Sequence, residues 1–116
     1  MSIVAGVLIG VVAALHVFFL VLEMFLWTKP LGRRVFNNDV EFARATATLA
    51  ANQGLYNGFL AAGLGWGLVS GELDIRLFFL GCVVVAGLYG AATVSPRILY
   101  VQAVPAVLAG VAALLV

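Results

Sequence analysis

The sequence contains very little charge. Only 9% of its 116 residues are charged and 65% are hydrophobic, whereas soluble domains have about 25% charged and about 45–50% apolar residues. Six basic and five acidic residues are too few to cover the surface of a soluble domain of this length. We therefore expect most of the surface to face lipid.

Other scarce features exclude several classes of protein. The net charge is only +1, and the basic residues are not gathered into a patch, so nothing indicates a nucleic-acid partner. The single cysteine, Cys82, excludes an intrachain disulfide. The sequence has no glycine-rich phosphate loop, dinucleotide fingerprint or metalloprotease motif, and no third strong metal ligand lies close in sequence to His16 and Glu23. We therefore predict neither a cofactor nor a metal.

Four long apolar runs are present instead. Each is close to the ~20 residues that a helix needs to cross a bilayer, and backbone groups in lipid must be hydrogen-bonded internally, which favours α-helices. The first run continues past the ~7–15 residues of a signal-peptide core, so we expect a retained helix. The sequence predicts an all-α integral membrane protein, a four-transmembrane-helix antiparallel bundle forming a single domain over residues 1–116, with helices at about 3–27, 39–69, 75–94 and 96–116.

Local signals place the ends of the first two predicted helices. Pro30 and Gly32 predict the end of the first helix. Asn38 followed by Glu41 matches a capping box, in which Asn38 caps the second helix and Glu41 reaches back. The second helix is thereby expected to begin before the membrane does.

Similar signals place the last two predicted helices. Asp74 is the expected cap of the third helix. Ser95 followed by Pro96 predicts the start of the fourth. Pro105 lies inside that helix, where it removes a backbone donor and predicts a kink.

The distribution of basic residues predicts the orientation. Five flank the first and third connections, against Arg76 near the second: Lys29, Arg33, Arg34, Arg44 and Arg97. Because cytoplasmic connections carry the excess of Lys and Arg, both termini are predicted on the periplasmic side. The expected location is the bacterial inner (cytoplasmic) membrane, with multiple passes and membrane lipids as partners.

Small residues recur at four-residue spacing along the predicted helices. Such pairs allow helices to approach closely. They predict close packing within the bundle, with an interface between copies in a homo-oligomer as the alternative. The pairs are Gly6 and Gly10, Gly54 and Gly58, Gly63 and Gly67, Ala86 and Gly90, and Ala106 and Gly110.

Polar side chains within the apolar runs are the candidate functional residues. A carboxylate at membrane depth costs at least ~2.5–3.5 kcal/mol on insertion scales, so it normally faces the protein interior and marks function. Glu23 is therefore the strongest single candidate. The full set is His16, Glu23 and Trp27, then Asn52, Gln53, Tyr56 and Asn57, with Tyr89, Thr93, Tyr100 and Gln102 as further lining.

Helical spacing predicts that several of these residues meet. His16, Glu23 and Trp27 are spaced to share one face of the first helix. Gln53, Tyr56 and Asn57 share a face of the second helix, with Asn52 at its border. We predict a polar cavity that opens toward the cytoplasm and binds a ligand or a proton. In the alternative, these groups only hydrogen-bond one another, Glu23 with Asn52 or Gln53 and His16 with Asn57.

The run from Asn52 to Ala61, NQGLYNGFLA, resembles a family of small bacterial membrane proteins. His16, Glu23 and Trp27 precede this run on the first helix, and the resemblance extends over essentially the whole chain. The family is the domain-of-unknown-function family numbered thirteen-oh-four. The resemblance implies a four-helix inner-membrane protein and carries no activity with it.

Three functions from different classes are consistent with this pattern. Small multidrug transporters are similar in size and have a membrane glutamate in their first helix, a role that would fall to Glu23. The leading hypothesis is an oligomer that binds and moves a small lipophilic or cationic molecule with proton coupling. The alternatives are a membrane enzyme acting on a lipophilic substrate, with Glu23 or His16 as general acid or base and Asn52, Tyr56 and Asn57 orienting the substrate, or an assembly subunit of a membrane complex.

Overall fold

The computed structural model describes residues 2–115, and every regular element within them is a helix. The elements are α1 (Ile3–Met24), α2 (Pro30–Phe36), α3 (Val40–Ser70), α4 (Leu73–Thr93), a π-helix (Leu99–Ala103) and α5 (Val104–Leu114). The all-α prediction is confirmed. The predicted end of the fourth helix, Val116, lies outside the described residues.

Two of these helices are long and apolar enough to cross a membrane. They are α1, with 22 residues and a mean hydropathy of 2.7, and α4, with 21 residues and a mean hydropathy of 1.9. At ~1.5 Å per residue each is about 32 Å long, close to the ~30 Å of a hydrocarbon core. The longer α3, with 31 residues, begins with a more polar half, and the apolar helix Leu99–Leu114 is shorter.

One compact unit contains the start of α1 and the chain from Leu60 onward. Four helices contribute to its hydrophobic core, in which alanines of α5 allow close packing. Gly87 of α4 lies against the π-helix, since a Cβ there would be 2.7 Å from the backbone nitrogen of Ala103. The core residues are Ile9, Val12, Leu64, Leu80, Val83, Ala106 and Ala109.

The second compact unit comprises Leu15–Phe59 and contains the end of α1, α2 and the first part of α3. Two glycines of α3 pack directly on α1. A Cβ at Gly54 would lie 2.6 Å from Cγ of Met24, and a Cβ at Gly58 would lie 2.7 Å from Cδ1 of Leu20. The predicted close approach at this pair of glycines is therefore present in the structure.

The first predicted helix is wrong at its C-terminal end. α1 ends at Met24, and Pro30, which was predicted to end the first helix, begins α2. The last turn of α1 closes when the backbone N–H of Leu26 donates to the carbonyl of Val21, at 3.2 Å. Proline is then well suited to the first position of a new helix, because its missing N–H would have no partner there.

The predicted cap of the second long helix is displaced by one residue. Asp39, not Asn38, caps α3: its Oδ1 accepts the backbone N–H of Phe42 at 2.7 Å. The N–H of Asn38 is used to end α2, donating to the carbonyl of Arg33 at 2.9 Å after Asn37 adopts a left-handed conformation with φ of 56°. The end of α2 and the start of α3 share this short connection, and Asn38 is used at the end of α2.

The starts of the last two predicted helices also differ in detail. α4 begins at Leu73, so Asp74 lies in its first turn and is not its cap. Ser95 does act near the predicted start, since its Oγ accepts the N–H of Arg97 at 3.3 Å. The π-helix immediately precedes α5, near whose start Pro105 lies. Pro105 has no N–H to donate to the carbonyl of Val101, four residues earlier. This carbonyl lies in the π-helix, where hydrogen bonds join residues five apart instead of four.

Candidate functional site

Buried residues recur on one side of α1. Ile9, Val12, His16 and Glu23 are all buried, with 0–9% of their surface exposed, at intervals of three, four and seven residues. These intervals put them on a single side of an α-helix. His16 and Glu23 therefore share one face of α1, and that face is its interior one.

The carboxyl of Glu23 is paired with an amide from α3. The Nδ2 of Asn57 donates a hydrogen bond to Oε1 of Glu23, and the two residues are only 9% and 5% exposed. Hydrogen bonds that involve a charged group contribute more than neutral ones, and losing one partner of a buried pair is costly. The predicted partners Asn52 and Gln53 are wrong, and Asn57 takes their place.

Glycine spacing explains why Asn57 reaches Glu23. A Cβ at Gly54 would lie 3.1 Å from Cβ of Glu23 and 3.2 Å from the carbonyl oxygen of Leu20, so a side chain there would require α1 to shift away from α3 by a few tenths of an ångström. Gly58 is close to Leu20 in the same way. With a glycine three residues before it and another directly after it, Asn57 is carried into contact with α1.

His16 lies on the same side of α1 as Glu23 but closer to the middle of the helix. It is fully buried, and its ring packs edge-on against Phe19, with the ring centres 5.5 Å apart. Glu23 is seven positions further along α1, which corresponds to about 10 Å along the helix axis at ~1.5 Å per residue.

Trp27 does not belong to the face that His16 and Glu23 share, because α1 ends three residues before it. The Nε1 of Trp27 donates to Oγ1 of Thr46 at 3.0 Å, and its ring lies 4.9 Å from that of Phe36. Thr46 in turn donates to the carbonyl of Phe42. Trp27 therefore connects the turn after α1 with α2 and α3, which is a structural role. Nothing in the sequence had indicated Thr46 and Phe36 as its partners.

Three of the predicted site residues on α3 face outward. Asn52 and Gln53 are exposed, and Tyr56 is 54% exposed while the adjacent Asn57 is 5% exposed. Consecutive residues of an α-helix point about 100° apart, so Asn57 faces α1 while Tyr56 does not. The structure thus brings Glu23 and Asn57 together and leaves the other three outside this contact.

The remaining predicted residues lie in the other compact unit. Tyr89 and Tyr100 are 67% and 69% exposed. Thr93 is exposed, and its hydroxyl donates to the carbonyl of Tyr89 at 2.7 Å. Gln102 is half-buried in the π-helix. Their predicted role as cavity lining stays a prediction.

Comparison with known proteins supplies the family. The fold and the site define a small helical protein with two helices able to cross a membrane and a buried carboxylate–amide pair. The chain belongs to the family described as "Protein of unknown function (DUF1304)", whose model matches residues 10–114. It is 32% identical over 108 residues to "Uncharacterized protein YpaA" of Lactococcus lactis subsp. lactis (strain IL1403), covering 89% of this chain and 91% of that protein. No solved structure matches it.

Proposed function

We propose that this protein spans the bacterial inner membrane four times, with α1, α3, α4 and Leu99–Leu114 as an antiparallel bundle and both termini on the periplasmic side. The distribution of positive charge supports this orientation. Arg76, the basic residue near the second connection, is 6% exposed, and its Nε donates to the carbonyl of Gly67 at 2.7 Å. The other five basic residues flank the first and third connections, which are cytoplasmic under the positive-inside rule.

Cysteine labelling in spheroplasts tests this orientation. In a Cys82→Ser background we expect Glu72→Cys to react with a membrane-impermeant maleimide before lysis, and Thr28→Cys only after it. Both positions are exposed and lie in different connections. Labelling of both before lysis, or the reverse order, would contradict the proposed topology. Equal labelling of the two after lysis serves as the control for reactivity.

We further propose that the Glu23–Asn57 pair binds a small lipophilic or cationic molecule, with proton exchange at the Glu23 carboxyl. The observation that carries this proposal is the buried carboxylate held by an amide from a second helix. Buried carboxylates in membrane segments are costly and typically mark ion, proton or substrate sites. A cation and a proton compete for the same carboxylate oxygens, so binding of one favours release of the other.

The position of Glu23 along α1 supports access from the cytoplasmic side. It is the second-last residue of the helix, about 14 Å from the helix centre at ~1.5 Å per residue. That distance is near the edge of a ~30 Å hydrocarbon core. The paired rings of Trp27 and Phe36 follow in the next turn and in α2, and aromatic faces of this kind attract cations.

The burial of His16 makes Glu23 the better candidate for exchange with a ligand. A general acid or base must come within hydrogen-bonding reach of its substrate. His16 has no exposed surface and packs against Phe19. Glu23, which retains a small exposed fraction, is the better placed of the two titratable side chains for exchange with a ligand.

Calorimetry with a lipophilic cation tests the binding proposal. Tetraphenylphosphonium is titrated into the protein in nanodiscs, in buffers of different ionisation enthalpy, so that both affinity and proton release are obtained. We expect binding accompanied by proton release, and loss of both in Glu23→Gln. Glu41→Gln is the matched control, since Glu41 is an exposed glutamate in the first turn of α3.

The outcomes separate a site from a structural pair. Unchanged binding and proton release in Glu23→Gln would remove Glu23 from the function. Loss of binding in Glu41→Gln to the same extent would show that the effect is not specific to the buried pair. An absence of tetraphenylphosphonium binding by the unmodified protein would contradict a cation site, and the pair would then serve only to join α1 to α3.

A further inference from the structure

Arg76 is a buried cation that has no carboxylate partner. It is the fourth residue of α4, and only 6% of its surface is exposed. Within residues 2–115 it forms no ion pair, and its Nε donates to the carbonyl oxygen of Gly67 at 2.7 Å. Burying a charged group is costly unless the charge is compensated. A neutral carbonyl compensates it only in part, so an anion from outside the chain would stabilise this residue.

The hydrogen bond from Nε of Arg76 uses only part of its guanidinium group. The group has five N–H donors, four of them on the two terminal nitrogens. Within the described residues, those four donors have no protein acceptor. Neither terminal nitrogen is completely enclosed, since no fully buried side-chain nitrogen in this part of the chain lacks a hydrogen-bond partner. Both nitrogens are therefore accessible to a ligand.

These free donors lie beside the turn that joins α3 to α4. Gly71 makes this turn with φ of 77°. A Cβ at Gly71 would lie 4.0 Å from Nη2 of Arg76 and, apart from the two neighbours of Gly71 in the chain, would have no other heavy atom within 4 Å. Nη2 therefore borders open space at the turn. A guanidinium matches the geometry of phosphate oxygens and binds them through paired hydrogen bonds, so a phosphate group fits these donors.

The guanidinium lies at the depth of lipid phosphates if α4 crosses the membrane as proposed above. Arg76 is three positions after Leu73, the first residue of α4, which corresponds to about 4.5 Å along the axis at ~1.5 Å per residue. Its Nη2 approaches Gly71, which precedes the helix, so the side chain extends toward the head groups. Long basic side chains near helix ends commonly extend in this way. This step holds for either orientation in the membrane.

An apolar groove beside the same connection favours a phospholipid over free phosphate. Trp66, 59% exposed, directly precedes the residue whose carbonyl Arg76 binds, and tryptophan is typical of the head-group level. The rings of Phe78 and Phe79 pack edge-on with their centres 5.2 Å apart. The glycerol and acyl parts of a lipid can occupy such a groove while the phosphate stays at the membrane surface. The groove has a volume of about 400 Å³ and is lined by Trp66, Asp74, Ile75, Phe78 and Phe79.

Two carboxylates near Arg76 indicate which head group fits. Glu72 and Asp74 are both exposed, so the connection carries two negative charges against the one positive charge of Arg76. A lipid with a net negative charge would be repelled by these carboxylates. An ethanolamine head group avoids this repulsion, because its ammonium balances its own phosphate and is attracted to carboxylates and aromatic faces. We propose that Arg76 binds the phosphate group of a zwitterionic phospholipid with an ethanolamine head group.

Native mass spectrometry of the full chain in detergent tests this site. Dioleoyl phosphatidylethanolamine is titrated into the unmodified protein, Arg76→Gln and Arg97→Gln. The Nε2 of glutamine is as many bonds from Cα as the Nε of arginine, so Arg76→Gln keeps a donor for Gly67 and removes the terminal nitrogens. We expect the dissociation constant to rise at least about tenfold in Arg76→Gln, because hydrogen bonds to a charged group are lost. Arg97→Gln, at an exposed arginine, is the matched control and should bind like the unmodified protein.

Three further ligands are tested on the unmodified protein, so these results do not depend on the folding of a variant. Dioleoylglycerol lacks the phosphate and should bind at least about tenfold more weakly than the phospholipid. Dioleoyl phosphatidylglycerol should also bind more weakly, because its head group has no ammonium. Inorganic phosphate should not displace the phospholipid, since it makes no contact with the groove.

The opposite results would overturn the proposal. Equal phospholipid affinity of folded Arg76→Gln and the unmodified protein, or equal affinity for dioleoylglycerol, would mean that no phosphate is bound at Arg76. Displacement by inorganic phosphate would make this a site for a free anion. Equal or tighter binding of phosphatidylglycerol would exclude selection of the zwitterionic head group. None of these measurements involves tetraphenylphosphonium, so failure here is distinguishable from failure of the Glu23 site.

Discussion

Asn57→Leu is expected to lower the free energy of unfolding by about 3 kcal/mol, because it leaves the buried Glu23 carboxyl without its hydrogen-bond donor. Leucine has the same number and branching of side-chain heavy atoms as asparagine, so the change removes the amide without opening a cavity. The measurement is equilibrium unfolding in mixed micelles at increasing denaturing-detergent fraction, followed by helical circular dichroism.

Two further variants separate loss of the pair from a general effect of the substitution. Gln53→Leu makes the same kind of change at an exposed position of α3 and should alter stability little. Glu23→Met combined with Asn57→Leu removes both polar partners, which can be nearly neutral when shape is retained. The double variant should therefore be more stable than Asn57→Leu alone. Strictly additive effects in this double-mutant cycle would mean that the two side chains do not interact.

Gly87→Ala is expected to destabilise the contact between α4 and the π-helix by about 1–3 kcal/mol, the usual cost of overpacking. The new Cβ would lie 2.7 Å from the backbone nitrogen and 2.9 Å from Cβ of Ala103. The backbone of the π-helix cannot rotate away as a flexible side chain would, so the two helices must separate. Thermal unfolding in detergent, followed by circular dichroism, measures the effect.

Gly81 provides the matched control within the same helix. A Cβ at this position meets no atom within 4 Å, and alanine is favoured over glycine in helices by roughly 0.5–1 kcal/mol. Gly81→Ala should therefore be neutral or stabilising. If Gly87→Ala were equally well tolerated, the close approach of α4 to Ala103 would not be a determinant of stability.

The buried face of α1 could be predicted from the sequence, because it depends only on spacing within one helix. His16 and Glu23 are seven residues apart, and both are buried. Trp27, four residues further, was placed on the same face only by assuming that the helix continued. The helix instead ends at Met24, and Pro30 begins the next helix. A proline is compatible both with the end of one helix and with the first position of another, so Pro30 alone could not show where α1 ends.

The partner of Glu23 could not be predicted in the same way. Periodicity groups Gln53, Tyr56 and Asn57 on neighbouring sides of α3 but does not say which side meets α1. Gly54 and Gly58 decide this, because a Cβ at either position would lie within 3 Å of α1 atoms. Asn57, between them on the contact side, becomes the hydrogen-bond donor, and Tyr56 is left on the surface.

The sequence by itself determined the helical class, the apolar character of α1 and α4 and the placement of a carboxylate on the buried side of α1, since composition and the period of the α-helix suffice for these. Only the tertiary structure decided that Glu23 pairs with Asn57 and that Trp27 joins the turn after α1 to Thr46. Those features depend on how one helix is rotated and displaced along another, which is set by contacts between residues far apart in the chain.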